Sequence, residues 1–266
     1  MRWSNLAPST LFSAALGLFA FGLIGLAWAG RAAEAVDAPQ PGISPDAGAA
    51  ILQMSKTLSA NEFSFQARTI RVYQDEQGQP LHIFHTEKVV VHRPDRLVVH
   101  RTGDDGATDL YYDGKTVTLF RGNDNKYARV DAPNTIEAMF DEVSDLLNVD
   151  FPLADFVNAD PGKMLLSDVT SGRELDPVTI DGKPARHLFF SQAGGIELEV
   201  WLDKTEQATP RRLIVTYRLL PGQPSFIAEF SDWNFSIHPA DAEFVFQPPA
   251  GATQVELQAA EKKENK

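Results

Sequence analysis

Residues 92–122 read HRPDRLVVHRTGDDGATDLYYDGKTVTLFRG, and this stretch decides the fold. Its apolar runs RLVVHRT, TDLYY and KTVTLF are rich in β-branched and aromatic residues, which favour strands. The dipeptides Asp105-Gly106 and Asp113-Gly114 separate these runs, and glycine accepts the positive φ that a tight hairpin needs. The stretch therefore predicts three antiparallel strands joined by short turns.

The charged residues of the same stretch are typical of strand ends. Pro94 fixes φ and removes a backbone donor, so it ends the preceding strand. Asp95 suits the turn because its carboxylate can accept from nearby backbone N–H groups. Arg93 and Arg96 flank Asp95 and can pair with it locally, and such an exposed pair contributes only about 0–1 kcal/mol. We interpret these charges as turn chemistry, not as an active site.

On either side of this stretch, strands alternate with helices. Asp46 begins a predicted helix, and about six strands follow it. Asn134, three residues before Glu137, predicts the cap of a second helix, and LADFVN and PGKMLLSDV predict a further helical segment. About six more strands complete the chain. This order predicts an α+β fold that is mainly antiparallel β, with a strongly curved sheet or an incomplete barrel.

The N-terminus predicts export. Arg2 precedes an uncharged run over 11–29, and Ala27-Trp28-Ala29 fits the small-x-small rule for signal peptidase, with Ala33-Glu34-Ala35 as a second candidate cut. We therefore expect residues 1–29 to be a signal peptide and the protein to be periplasmic. An N-terminal membrane anchor is the alternative, since about 20 apolar residues span a bilayer.

The rest of the chain predicts one domain between two irregular segments. Residues 30–45 are small and contain proline, which indicates a linker, and residues 251–266 end in EKKENK, which indicates a disordered tail. Residues 46–250 then form a single domain, long enough for one sizeable core.

Composition excludes several classes of function. The chain has no cysteine, which excludes disulfides, thiol catalysis, cysteine-based zinc sites and a lipidated N-terminal cysteine. Its net charge of −12 disfavours binding to phosphate backbones, so we expect no nucleic-acid partner.

The histidines do not predict a metal site. His82 and His85 are three residues apart on a predicted strand, so their side chains project to opposite faces. His92 and His100 flank the Pro-Asp turn, but no third ligand accompanies them. We expect no metal and no cofactor.

No catalytic constellation emerges either. The chain has no serine in a G-x-S-x-G turn and no glycine-rich phosphate loop. Glu197 and Glu199 share one strand face, where they are expected to be solvated and to face Arg212 and Arg218 on the next strand. We therefore expect a protein without enzymatic activity.

The apolar residues are more informative. Seventeen phenylalanines are many for this length, and several apolar residues share strand faces, while Ile227, Trp233 and Phe235 are expected on the face opposite Phe230. Apolar residues at helical spacing predict a helix that covers the sheet: Ile136, Met139, Phe140, Val143 and Leu147. One interpretation is a core filled by its own side chains; the other is an apolar cavity with this helix as its lid. The predicted cavity residues are Phe63, Phe65, Ile136, Met139, Phe140, Val143, Phe190 and Phe230.

The segments HRPDRLVV, DLYYDGKTVTLF, RLIVTY and FSDWNF, in this order behind a signal peptide, resemble a bacterial family of predicted periplasmic proteins of unknown function. That family is similar to the superfamily of the lipoprotein carriers LolA and LolB, over roughly residues 45–250. The resemblance implies an open (incomplete) β-barrel of about 11 strands, with helices covering the concave face and a cavity that receives acyl chains. The chain lacks the lipidated cysteine of LolB-type receptors.

Together these observations predict a periplasmic, carrier-like binding protein with an apolar cavity. The expected ligand is a lipid or the acyl chain of a lipoprotein segment. The alternative is an interaction or structural module of the cell envelope, with a filled barrel, a protein partner and no small ligand.

Overall fold

The computed structural model of the protein describes residues 42–75, 77–147 and 151–256. The predicted signal peptide, most of the predicted linker, residues 257–266 of the predicted tail and the side chain of Leu147 lie outside this description.

The described chain consists of four helices and thirteen strands, with two short 3₁₀ turns at Gly122–Asp124 and Asp241–Phe244. The helices are α1 (Pro45–Leu58), α2 (Ile136–Leu147), α3 (Ala154–Val157) and α4 (Pro161–Leu165). The strands are β1 (Glu62–Gln74), β2 (Pro80–His92), β3 (Arg96–Gly103), β4 (Gly106–Tyr112), β5 (Thr116–Arg121), β6 (Lys126–Asp131), β7 (Val169–Glu174), β8 (Val178–Ile180), β9 (Lys183–Gln192), β10 (Ile196–Asp203), β11 (Pro210–Tyr217), β12 (Ser225–Asn234) and β13 (Thr253–Gln254).

All thirteen strands form one open sheet. Its order is β13-β6-β5-β4-β3-β2-β1-β12-β11-β10-β9-β7, and β8 also pairs with β9. The pairs are antiparallel except for β13 with β6. The expected mainly antiparallel, incomplete sheet is thus present. Its strand number exceeds the expected 11 by two, because β8 and β13 are strands of only three and two residues.

The turns of the 92–122 stretch are built as its residues predict. The Asp113 carboxylate accepts from the backbone N–H groups of Lys115 and Thr116, at 3.0 and 2.7 Å. Gly114 has a φ of +84°, which favours glycine. Asp95 pairs with Arg96 at 2.9 Å, as expected. The expectation that Arg93 also pairs with Asp95 is wrong, because Arg93 turns towards the helices.

Segments from the two ends of the domain lie against the two edges of the sheet. Ile43 forms a parallel bridge with Gly172 of β7, and Ser44 N–H donates to the Gly172 oxygen at 2.8 Å. Thr253 and Gln254 pair with β6, past residue 250 where the domain was expected to end. Each segment satisfies backbone groups that an edge strand otherwise leaves unpaired.

The helix starts follow local capping chemistry. Ser44 Oγ accepts from the N–H of Ala47, and Pro45 occupies the first turn of α1. For α2 the expected cap at Asn134 is wrong, because Thr135 Oγ1 accepts from the N–H of Ala138 at 3.2 Å. The further helical segment consists of α3 and α4, and Asp160 caps α4.

One apolar core joins the helices to the sheet. The buried faces of the four helices and of the longer strands belong to the same cluster. We call the side of the sheet that carries these strand residues the inner face. Its burial follows the period-2 alternation of the strands, as in β1, where every second residue from Phe63 to Thr69 is buried.

Candidate functional site

The inner face brings together the residues that were predicted to line a cavity. Phe63 and Phe65 of β1, Phe190 of β9 and Phe230 of β12 are all at most 4% exposed. In α2, Ile136, Met139 and Val143 are at most 1% exposed. Phe140 is only partly buried, and its ring lies 5.3 Å from that of Phe151.

Aromatic rings connect the strands with α3. The ring of Phe65 stacks on Trp233 at 4.5 Å, and Phe230 lies 5.1 Å from Phe156 of α3. The expectation that Trp233 lies opposite Phe230 is wrong. The register with β1 shifts between Ser231 and Asn234, and this bulge turns Trp233 towards Phe65 and Phe230.

The inner face is packed in this conformation. Two surface depressions in the described part of the chain lie elsewhere, and none of the eight predicted residues lines either of them. One depression lies beside β13 and includes Arg129 and Glu256. The other lies beside α1 and includes Gln53, Arg186 and Lys204.

Arg93 joins the sheet to the helices. Its guanidinium donates to the backbone oxygens of Ala60, Val157 and Asn158, with 3.1 Å to Val157. It also lies 5.1 Å from the centre of the Phe63 ring. Burial lowers the pKa of Arg93 to about 10, although the charge of Glu137 opposes this effect. One side chain therefore holds the end of α3 against the start of β1.

Polar residues interrupt the apolar inner face on β1, β2 and β3. We call Thr69, Arg71, His85, Glu87 and Arg101 the polar band. Thr69 pairs with His85 across β1 and β2, and Glu87 pairs with Arg101 across β2 and β3. These residues continue the rows that begin with Phe65, Ala67, Val89 and Val99, and so they point to the same side.

The band contains ion pairs and a half-buried carboxyl, that of Glu87. His85 Nε2 lies 2.7 Å from Asp105 Oδ1, and Arg101 lies 3.6 Å from the same carboxylate. Burial raises the pKa of Glu87, although the charges of Arg101, His85 and Arg71 oppose the shift. For Asp105 burial acts in the same direction, but the hydrogen bond from His85 and the charge of Arg101 outweigh it and lower the pKa.

The remaining charged candidates form separate pairs. Arg218 lies 3.6 Å from Glu197, as expected, but Arg212 bonds to Glu229 and Glu199 bonds to His187. Within the described residues, no group of three histidine or acidic side chains is arranged to hold a metal ion.

Sequence patterns identified the aromatic residues, whereas Arg93, Trp233 and the polar band were missed. The period-2 rows do contain the band, since Thr69, Arg71, His85, Glu87 and Arg101 fall at inward positions. That alternation is the signal that could have identified the band. No sequence signal identifies the bulge before Trp233.

Comparison with known proteins identifies a family. A family model described as "Predicted periplasmic protein (DUF2092)" matches residues 47–258. No curated protein matches the chain.

Several solved structures are similar to part of this chain at low identity and low TM-score. An uncharacterized conserved protein from Thermus thermophilus has a TM-score of 0.46 and 13% identity, over 79% of this chain and 99% of the other. The Mycobacterium tuberculosis lipoprotein LppX has a TM-score of 0.45 and 16% identity, over 73% and 99%. A LolA superfamily protein from Nitrosomonas europaea has a TM-score of 0.36 and 10% identity, over 74% and 97%. At these levels nothing about a ligand follows for this chain.

Proposed function

This chain belongs to the family of predicted periplasmic proteins DUF2092, and we propose that it is a binding protein without enzymatic activity. Its ligand is a lipid or the acyl chain of a lipoprotein segment. The ligand occupies the inner face of the sheet, which the helices cover in the ligand-free state.

The observation that carries this proposal is the way the apolar inner face is closed. It is closed in part by α3 and α4, which have only four and five residues. Helices of this length are not stable alone, so their position depends on tertiary contacts. Arg93 supplies several of those contacts at one point. Helices held in this way can move without disrupting the strands, whose hydrogen bonds are independent of them.

The residues of the inner face suit an acyl chain. Phe63, Phe65 and Phe230 can contact an acyl chain through their aromatic rings, and the flexible side chain of Met139 can adapt to acyl chains of different shape. Phe140 and Phe151 are partly buried beside the core, so they mark the side on which a chain enters. The preference for apolar ligands follows because an unpaired polar group is costly to bury here.

The family description supports a periplasmic location. Cleavage of the predicted signal peptide concerns residues outside the described part and belongs to the proposal. Among the described helices, none is long and apolar enough to cross a membrane.

A filled barrel that acts as an envelope interaction module is the second candidate function. It is favoured by one observation: seven of the eight predicted cavity residues are at most 4% exposed, with Phe140 as the exception. Such a module binds a protein partner on its surface and no small ligand.

Titration of the purified protein with a fluorescent long-chain fatty acid tests the proposal. We expect saturable binding that an unlabelled fatty acid reverses. Phe140→Glu should abolish binding, because it places a carboxylate where the chain enters. Phe84→Glu is the matched control on the outer face, where Phe84 is 49% exposed, and should bind normally. Absence of probe binding by the unchanged protein rejects the acyl-binding proposal in favour of the module.

A further inference from the structure

The polar band lies between two apolar parts of the inner face. On one side are the buried residues Ala67 and Val89. On the other side, at the end of the β1–β2 hairpin, are Tyr73 and Leu81, which are 41% and 39% exposed. The band is therefore located where the closed core meets the solvent-exposed end of the sheet.

Apolar residues also border the band along the sheet. Thr69 pairs with Ala228 of β12, and Arg71 pairs with Phe226. The guanidinium of Arg71 lies 5.5 Å from the centre of the Phe226 ring. A ligand that contacts the band thus contacts an apolar wall at the same time.

The band retains hydrogen-bonding capacity. Thr69 is 2% exposed, and its Oγ1 has no well-formed hydrogen bond within the described residues. Its hydroxyl lies close enough to the Glu87 carboxylate to oppose the rise in the pKa of Glu87. Arg101 is 3.6 Å from Asp105, which is longer than a charge-assisted hydrogen bond. A buried polar group whose hydrogen bond is poorly formed costs free energy, and a ligand atom that bonds to it well reduces this cost.

We propose that the polar band binds the anionic head group of an amphiphile with one acyl chain, whose chain lies on the inner face. Arg71 and Arg101 complement the negative charge, and Thr69 donates a hydrogen bond. The shared chemistry is a carboxylate or phosphate on an acyl chain. This inference rests on the proposed function, because it requires that the inner face accepts the chain.

Two fluorescent probes with the same acyl chain, one with a carboxylate head and one with a neutral alcohol head, test the inference. We expect the protein to bind the acid about tenfold more tightly, which corresponds to one good charge-assisted contact. Arg101→Gln should remove this preference without changing the affinity for the alcohol. Arg68→Gln is the matched control, since Arg68 is exposed on the opposite face of β1, and should change neither affinity.

Thr69→Val is a second variant that does not depend on a charge. Its thermal stability should stay the same or rise, because the hydroxyl has no well-formed partner in the ligand-free protein. Its affinity for the acid probe should fall severalfold. Glu87→Gln removes a competing carboxylate and should strengthen acid binding. An acyl phosphate monoester with the same chain then distinguishes a phosphate head from a carboxylate.

The outcomes separate the two proposals. Equal affinity for acid and alcohol overturns the head-group inference and leaves acyl binding in place. Loss of acid preference in Arg68→Gln as large as that in Arg101→Gln also overturns it, because the effect is then one of net charge. Failure of both probes to bind overturns the proposed function itself.

Discussion

Arg93 Nη2 donates a hydrogen bond of 3.1 Å to the backbone oxygen of Val157, and this contact links the β2–β3 turn to the end of α3. The same guanidinium also bonds to Ala60 and Asn158. A cation at the boundary of the apolar core thus bonds to the carbonyl oxygens at the C-terminal end of the short α3.

Replacing Arg93 should therefore destabilise the protein and release the helices. Arg93→Met leaves buried carbonyl oxygens without donors, and we expect it to lower the free energy of unfolding by about 3 kcal/mol. Arg96→Met is the control on the other side of the same turn, where a solvent-accessible, partly buried pair with Asp95 contributes about 1 kcal/mol or less. Urea unfolding compares the two variants, and equal losses would contradict the role of Arg93.

Phe140 tests whether α2 acts as a lid over the inner face or as a fixed part of the core. Phe140→Ala should cost about 1–2 kcal/mol, because the ring is only partly buried, and it should alter the affinity for the acyl probe. Phe156→Ala is the reference for a fully buried ring and should cost about 3–5 kcal/mol. A loss at Phe140 as large as that at Phe156, in a protein that binds no probe, favours the filled barrel.

Gly114 tests whether the 92–122 stretch is turn chemistry. Its φ is +84°, so Gly114→Ala should cost about 1 kcal/mol, and the new Cβ must also displace the side chains of Arg96 and Asp95. Gly182 has a φ of +74°, and a Cβ added there meets no atom within 4 Å. Gly182→Ala therefore measures the cost of the backbone conformation alone. Both variants should keep probe affinity in the folded state. A Gly114→Ala protein that melts normally yet binds no probe would reopen the active-site interpretation.

We expect the contribution of His100 to the stability of the protein to depend on pH. A hydrogen bond that His100 donates to the Asp109 carboxylate raises the pKa of His100, although burial opposes the shift. A raised pKa in the folded state stabilises fully below the unfolded value of about 6.5, and this contribution is lost as pH rises through the folded pKa. His100→Gln should therefore lower the melting temperature more at about pH 5.5 than at about pH 8.5.

N-terminal sequencing tests the predicted cleavage of the signal peptide. N-terminal sequencing of periplasmic material should begin near Gly30 or Val36. Recovery of intact Met1 in the membrane fraction would establish the anchor instead.

Local chemistry made much of the fold predictable. Asp113-Gly114 and Pro94-Asp95 specify turns through φ and side-chain hydrogen bonds, and both turns are present. Alternation placed Phe63, Phe65, Phe190 and Phe230 in one core. The resemblance to a predicted periplasmic family, drawn from residues such as those of FSDWNF, is confirmed by the family match.

The predictions that were wrong or missing depend on contacts between distant parts of the chain. Trp233 lies on the inner face and not on the predicted outer face because β12 has a bulge, which depends on pairing with β1 and not on local sequence. Arg93 was expected in a local pair, but carbonyl oxygens about 65 residues away compete for it. The polar band escaped notice because its members are far apart in the chain and only the register aligns them.

Native mass spectrometry of the protein purified from its host periplasm tests the central claim most directly. We predict a fraction of molecules with an added mass that matches one acyl-bearing compound, and loss of that mass in Phe140→Glu but not in Phe84→Glu. A single bare mass in every preparation, with α2 amides as protected from hydrogen exchange as those of β1, would contradict the claim that the inner face opens to take an acyl chain.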